Sequence, residues 1–362
     1  MEYLIISSMD GIMKVLHCIH SLAGGGAERQ IKLLVEEANN QGEEYAIFCV
    51  NDKGNNLPNG LVKLYKSANI SKISVFKEIQ KAIDDFKPEV VHAWLPSSIT
   101  IPAMIIAKKN SIPVVFSYRN AMKFSRPLMV VEYIFAWLCA KGIVSNNPIE
   151  ASKIQYRLLY KRKINKYIPN AVKIDSKYKK IDSRSEPKKT ILFVGRLTAQ
   201  KNWQCLLNAL PEVINDNPNI QVLVCGDGED KTDFIALVKT LGLDDYVELR
   251  GYEKNVYQVM KDAEVMVLPS WYEGMPNVFL EALEIGLPCI VSTIDANINL
   301  LNNRKAAFLF NPTQPDQLAE QLNLFLSGTD HSTMVKDGWE LSANYTTKKL
   351  ASNYKHYYRQ LI

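Results

Sequence analysis

Four side chains stand out by type and spacing. Glu273 and Glu281 lie eight residues apart within WYEGMPNVFLEALEIGLP, and Arg196 and Lys201 are separated by LTAQ in FVGRLTAQKN (193–202). A carboxylate accepts from both hydroxyls of a vicinal diol. One glutamate can therefore meet the reacting end of a ligand while the other grips a hydroxyl-bearing handle further off. The cations suit a diphosphate. Arg offers a planar fork and Lys a point charge for neighbouring phosphate oxygens. Beside a helix N-terminus the two supply the charge stabilisation that a metal gives elsewhere. The ordinary alternatives are glutamates on a solvated face and surface cations at a strand end. No His/Asp cluster with metal-ligand spacing accompanies them.

These residues need a strand–loop–helix frame. The apolar run 265–268 reads as a buried strand and residues 269–276 as the loop leaving its carboxyl end. Asn277 onward reads as a helix closed by Gly286, and Pro288 opens the next strand. Glu273 is then on a loop at the strand's C-terminal edge, where open α/β sheets bind ligands, and Glu281 is in the first turns of the helix. Similar alternation runs through the chain. KVLHCIH (14–20), YAIFCV (45–50), VVHAW (90–94) and PVVFSY (113–118) read as strands in the first half. TILFVG (190–195), IQVLVCG (220–226), YVELRG (246–251), VMVLP (265–269) and PCIVST (288–293) do so in the second. The pattern predicts an α/β fold with parallel, doubly wound sheets. Residues 169–187, rich in Lys, Ser and Asp, divide the halves. The expected domains are 1–170, with 1–12 an extension, and 189–340, joined by a linker at 171–188. A helical, aromatic segment follows at 341–362.

Other candidates carry less specific signals. Gly24, Gly25 and Gly26 lie between the first strand and a helix starting near Ala27, where backbone amides can approach an anion. A dinucleotide fingerprint fails there, because the third glycine position holds Arg29. Gly226-Asp227-Gly228 closes a strand and reads first as a turn. Tyr252 is a candidate wall for a base. His92 and Trp94 fall on one first-domain strand, and Arg119 and Asn120 close another. A lone histidine is more often structural than catalytic.

Taken together, GGGAER (24–29), FVGRLTAQKN and the Glu-x7-Glu pair make the chain resemble the family 4 retaining glycosyltransferases of bacterial surface-polysaccharide type, nearly end to end. The resemblance implies a GT-B fold: two Rossmann-like domains facing a central cleft, with the C-terminal helix crossing back to the first. It implies transfer of a sugar, an N-acetylhexosamine by overall resemblance, from a UDP-sugar co-substrate to a lipid-linked saccharide, with retention, no metal and no cofactor. Glu273, Arg196 and Lys201 would be catalytic. Gly25, Gly26, Arg196, Lys201, Gly226, Gly274, Met275 and Glu281 would hold the donor. His92, Trp94, Arg119 and Asn120 would face the acceptor. Many relatives have a histidine where this chain has Arg119, which leaves the catalytic base open. The loop STIDANINLL (292–301) also lacks the glycines usual in relatives. Two rivals share the architecture: a non-hydrolysing nucleotide-sugar epimerase and an inactive partner subunit.

Composition is consistent with this. At 362 residues, 47% apolar and 22% charged, the chain suits two globular domains. The longest apolar stretch, MVVEYIFAWLCA (129–140), is too short to span a bilayer. Six cysteines without CxxC pairing read as reduced core thiols of a cytoplasmic protein. Residues 1–170 carry a net charge of +8 and residues 171–362 a net of −3. The basic run 153–167, interleaved with Leu, Tyr and Ile, is either a solvated face or a surface for anionic membrane on the inner face of the plasma membrane. No nucleic-acid motif accompanies it.

Overall fold

Strands of a parallel sheet are covered on both faces, so they read as continuous apolar runs. The inner strands of both sheets are such runs, and the edge strands KLYK, INKY and VELRG are more polar. The computed structural model describes residues 11–23, 25–52, 57, 60–67, 72–119, 127–156, 163–180, 189–328 and 330–362. Gly24, Asn120, residues 1–10 of the expected extension, the centre of the basic run (157–162) and residues 181–188 lie outside the described residues. The chain forms two compact units, Met1–Ile168 with Thr347–Ile362, and Pro169–Thr346.

The first unit holds strands β1 (Lys14–Cys18), β2 (Glu44–Cys49), β3 (Lys63–Lys66), β4 (Val90–Trp94), β5 (Val114–Tyr118), β6 (Gly142–Ser145) and β7 (Ile164–Tyr167). All are parallel, in the order β3-β2-β1-β4-β5-β6-β7. Helices α1 (Gly26–Asn40), α2 (Lys72–Phe86), α3 (Thr100–Lys109), α4 (Pro127–Cys139) and α5 (Pro148–Tyr156) make the crossovers. In α1, Ile31, Leu34, Val35 and Ala38 recur at helical spacing and are buried.

The second unit holds β8 (Lys189–Val194), β9 (Ile220–Cys225), β10 (Val247–Gly251), β11 (Val265–Leu268), β12 (Cys289–Ser292) and β13 (Phe308–Phe310). Their order is β10-β9-β8-β11-β12-β13, again parallel. Its helices are α6 (Trp203–Asp216), α7 (Lys231–Thr240), α8 (Val256–Asp262), α9 (Asn277–Ile285), α10 (Asp295–Leu301), α11 (Pro315–Leu326) and α12 (Ser332–Ser342).

The last helix, α13 (Thr347–Arg359), belongs to the first unit and packs against α1, as the resemblance implied. Leu350, Ala351, Tyr354, Tyr357 and Tyr358 form its buried face. The Tyr357 hydroxyl donates to the Ile164 carbonyl at 2.7 Å, and Thr347 bonds Glu37 at 2.6 Å. Each buried tyrosine removes roughly 150–250 Å² from water, about 4–6 kcal/mol at most. The C-terminal segment is thus two helices, broken at residues 343–346. Strands β3, β6, β7 and β13 go beyond the sequence expectation. They have three or four residues each, too few to show a period, and KLYK and INKY carry lysine.

Candidate active site

In each sheet the strand order reverses once, between β1 and β4 in the first unit and between β8 and β11 in the second. Such a point leaves the loops after the two strands diverging, and ligands bind in the gap. Arg196 and Lys201 follow β8, and Glu273 follows β11. The fold brings Lys201 and Glu273 together across 72 residues of chain, Nζ to Oε1 at 2.6 Å. Their side chains are 17% and 9% exposed. Arg196 is exposed, and its side chain makes no hydrogen bond or ion pair among the described residues.

The loop carrying Glu273 is clamped on several sides. Ser270, fully buried, donates from Oγ to the same Oε1 at 2.7 Å. Its carbonyl accepts from Ser292 Oγ at 2.7 Å, and Asn297 Nδ2 donates to the Ser292 carbonyl at 2.8 Å. On the other side, Gln200 Nε2 donates to the Tyr272 carbonyl at 2.9 Å. Asn202 has φ +52°, which Asn tolerates better than most residues. Its side chain does not cap α6. It donates instead to the carbonyls of Pro269 (3.0 Å) and Pro312 (2.9 Å). Ser270, Ser292 and Asn297 escaped the sequence reading. The available signal was the glycine-free segment 292–301, most of it α10, whose Ser292 and Asn297 supply part of this clamp.

The remaining second-unit candidates are Gly226, Gly274, Met275, Glu281 and Tyr252. Gly226 approaches the β8 loop so closely that a Cβ there would be 1.8 Å from the Gly195 carbonyl oxygen. The Gly195 amide donates to Cys225 and the Leu197 amide to Asp227, each at 3.1 Å. The glycine is thus required by backbone approach, whatever else it contacts. Gly274 is buried, and Met275 Sδ accepts from the Asn170 amide at 3.1 Å. Glu281, on α9, is 8% exposed. Tyr252 is 71% exposed after β10. Among the described residues no cluster of His, Cys, Asp or Glu is arranged to hold a metal ion.

The first unit's reversal point holds a cavity of about 300 Å³ lined by His20, Ser21, Glu28, Leu95 and Ser98, among others. His20 Nδ1 and Ser98 Oγ are 3.0 Å apart. Leu95 has φ +58°, a strained value for a branched side chain. Gly26 begins α1 and Gly25 precedes it. The Glu28 carboxylate folds back onto Gly25, where a Cβ would lie 2.4 Å from Oε2.

His92 and Trp94 are fully buried and offer a ligand no surface. Pairing of β1 with β4 sets His17 beside His92, and α13 covers them. His92 Nδ1 lies 2.6 Å from the Tyr358 hydroxyl and its Nε2 2.6 Å from Ser117 Oγ. Trp94 Nε1 donates to His17 Nδ1 at 2.9 Å. Burial holds His17 down to about 3, and burial, then His17 and Arg119, hold His92 well below the ordinary histidine range. Burial likewise raises Tyr354 and Tyr358. Arg119 is 6% exposed and stacks 4.3 Å over the Trp94 ring. The sequence placed these residues at strand ends but not the face they point to.

The family Glycosyl transferases group 1 matches residues 175–338, and Glycosyltransferase Family 4 matches residues 24–176. The UDP-Gal:alpha-D-GlcNAc-diphosphoundecaprenol alpha-1,3-galactosyltransferase of Escherichia coli is 30% identical over 274 residues, which cover 70% of this chain and 69% of that one. The N-acetylgalactosamine-N,N'-diacetylbacillosaminyl-diphospho-undecaprenol 4-alpha-N-acetylgalactosaminyltransferase of Campylobacter jejuni is 24% identical, over 73% of this chain and 76% of that one. Among solved structures, Anabaena HepE in complex with UDP-glucose shares the fold with a TM-score of 0.78 at 18% identity, covering 96% of this chain and 100% of that one. With its two α/β sheets, its C-terminal helix on the first unit and these matches, the chain belongs to the family 4, or group 1, glycosyltransferases, which are retaining enzymes of GT-B fold.

Proposed function

We propose that the protein moves a hexose, specifically an N-acetylhexosamine, from a UDP-sugar to a hydroxyl of a lipid-linked saccharide in surface-polysaccharide synthesis. The Lys201–Glu273 pair at the β8/β11 reversal carries this reading. The Escherichia coli and Campylobacter jejuni relatives, both named for undecaprenol-diphosphate acceptors, support the lipid carrier.

In this proposal Arg196 and Lys201 neutralise the diphosphate, whose charge grows as the bond from the anomeric carbon to the phosphate oxygen breaks. Glu273 accepts from hydroxyls of the transferred sugar, and Glu281 from the ribose diol. The backbone of Gly274 and Met275 meets the sugar or phosphate, and Gly226 borders the donor. Retention follows front-face attack: the acceptor oxygen bonds the anomeric carbon, and its proton passes to the departing phosphate oxygen. No carboxylate nucleophile is then required. Lys201 starts ion-paired with Glu273, so donor binding redistributes a contact that already exists. That limits reorganisation during the reaction.

A thermal-shift screen over UDP, UDP-hexoses and UDP-N-acetylhexosamines tests the proposal. A ligand at a hundred times its Kd stabilises by about 2.7 kcal/mol. UDP-N-acetylhexosamine should give the largest shift, and Lys201→Ala should remove most of it. A crystal soaked with UDP in which the nucleotide lies away from Arg196, Lys201, Glu273 and Glu281 would refute the assignment.

A further inference from the structure

A helix on the outside of a sheet normally turns polar residues to water, but the described exposed side chains of α4 are all apolar. Phe135, Ala136 and Cys139 join the core of the first unit. On the opposite side Val131, Ile134, Trp137 and Leu138 are exposed by 41, 48, 41 and 47%. At helical spacing Val131, Ile134 and Leu138 fall on one stripe, with Trp137 at its flank. Single exposed apolar residues need no explanation, but a contiguous stripe marks an interaction surface. Glu132 is the only charged residue in the helix sequence.

The surrounding charge indicates what covers the stripe. Lys108 Nζ donates to the Leu138 carbonyl at 2.8 Å, and the Lys163 ammonium donates to the Ala140 carbonyl, so both lie at the helix's C-terminal end. Lys141 follows the same end in sequence, and the exposed Lys109 is the chain neighbour of Lys108. Residues 90–170 contain 12 Lys or Arg against two Glu. Two copies meeting face to face would bring like charges together, and nucleic acid offers nothing to an aliphatic stripe. Anionic lipid satisfies both halves: aliphatic side chains enter the acyl boundary, Trp sits at the interface, and lysines meet headgroup phosphates. At 13 residues α4 is too short to cross, and no described helix is long and apolar enough to span a membrane.

We propose that α4, with the lysines at its C-terminal end, docks the protein on an anionic bilayer surface. The inference rests on this surface alone. It deepens the proposed function by placing the enzyme where a lipid-linked acceptor is held.

The test is flotation of the full chain with phosphatidylcholine vesicles, with and without phosphatidylglycerol. The protein should float with the anionic vesicles only, and less so as salt rises. Ile134→Ser with Leu138→Ser should lower the partition coefficient at least about tenfold, and Lys108→Gln about fivefold. Turnover of a soluble saccharide acceptor should be unchanged in both variants. That assay checks folding and reports separately on sugar transfer, so either proposal can fail without the other. Equal flotation with both vesicle types, or a serine double variant that floats like the parent, would overturn the docking surface. A double variant that instead turns a dimer into a monomer by light scattering would assign the stripe to a second copy of the chain.

Discussion

The two strand-order reversals occupy the same topological place and have opposite chemistry. At β8/β11 an ammonium and a carboxylate are held 2.6 Å apart, and exposed Arg196 follows the same strand β8. At β1/β4 the cavity is lined by a carboxylate, an imidazole and hydroxyls, with no lysine or arginine in its lining. Just behind it, His17, His92 and Trp94 are sealed under α13. The first arrangement suits a polyanion, and the second suits a neutral polyol or a cation. A doubly wound sheet therefore supplies only the place. The residues after the strands decide what can be bound there.

The largest expected effect that sharpens this contrast is at Lys201. Lys201→Ala should lower kcat about 10³-fold, in the range for losing one fixed donor to developing charge, while thermal unfolding changes little. An unaltered rate would put the polyanion site elsewhere. Gly226→Ala forces a methyl group against the Gly195 carbonyl and should cost about 3 kcal/mol, read as a lower unfolding midpoint of the second unit. An undisturbed midpoint would show that the β8 loop yields freely.

The next effects belong to the sealed region. His17 and His92 are depressed in the folded state, so the unfolded chain binds more protons below its ordinary pKa near 6.5. Stability is full above that value and falls with decreasing pH, until about 3 for His17. Each histidine should contribute about 1.4 kcal/mol of loss per pH unit within that window. Unfolding of the first unit followed between pH 7.5 and 5.5 should show the slope, and His17→Asn should remove about half of it. Tyr358→Phe takes a partner from His92 and should cost about 1–2 kcal/mol without altering UDP affinity. The smallest effect is Glu28→Gln, which should change UDP affinity less than about twofold if the β1/β4 cavity takes no part in anion binding.

Much of the frame around Glu273 was legible because proline and glycine punctuate it. Pro269 and Pro276 bound the loop, and Gly286 at φ +89° ends α9. The pairing of Lys201 with Glu273 was not legible, since it depends on β8 and β11 being neighbours, which no local pattern encodes. His92 and Trp94 show the same limit differently. Parallel strands are apolar on both faces, so VVHAW does not reveal that positions 92 and 94 face α13, more than 250 residues later. Ser270 looked like any loop serine until the turn brought its hydroxyl onto Glu273.

The placement of α13 also bears on how the chain is made. The first sheet is complete by Tyr167, yet the two tyrosines that contact His92, Tyr354 and Tyr358, arrive only after the whole of Pro169–Thr346 has been synthesised. On the ribosome the second unit can finish folding while the first still has one face open. Nascent chains halted before Thr347 are therefore the ones expected to recruit chaperones and to aggregate.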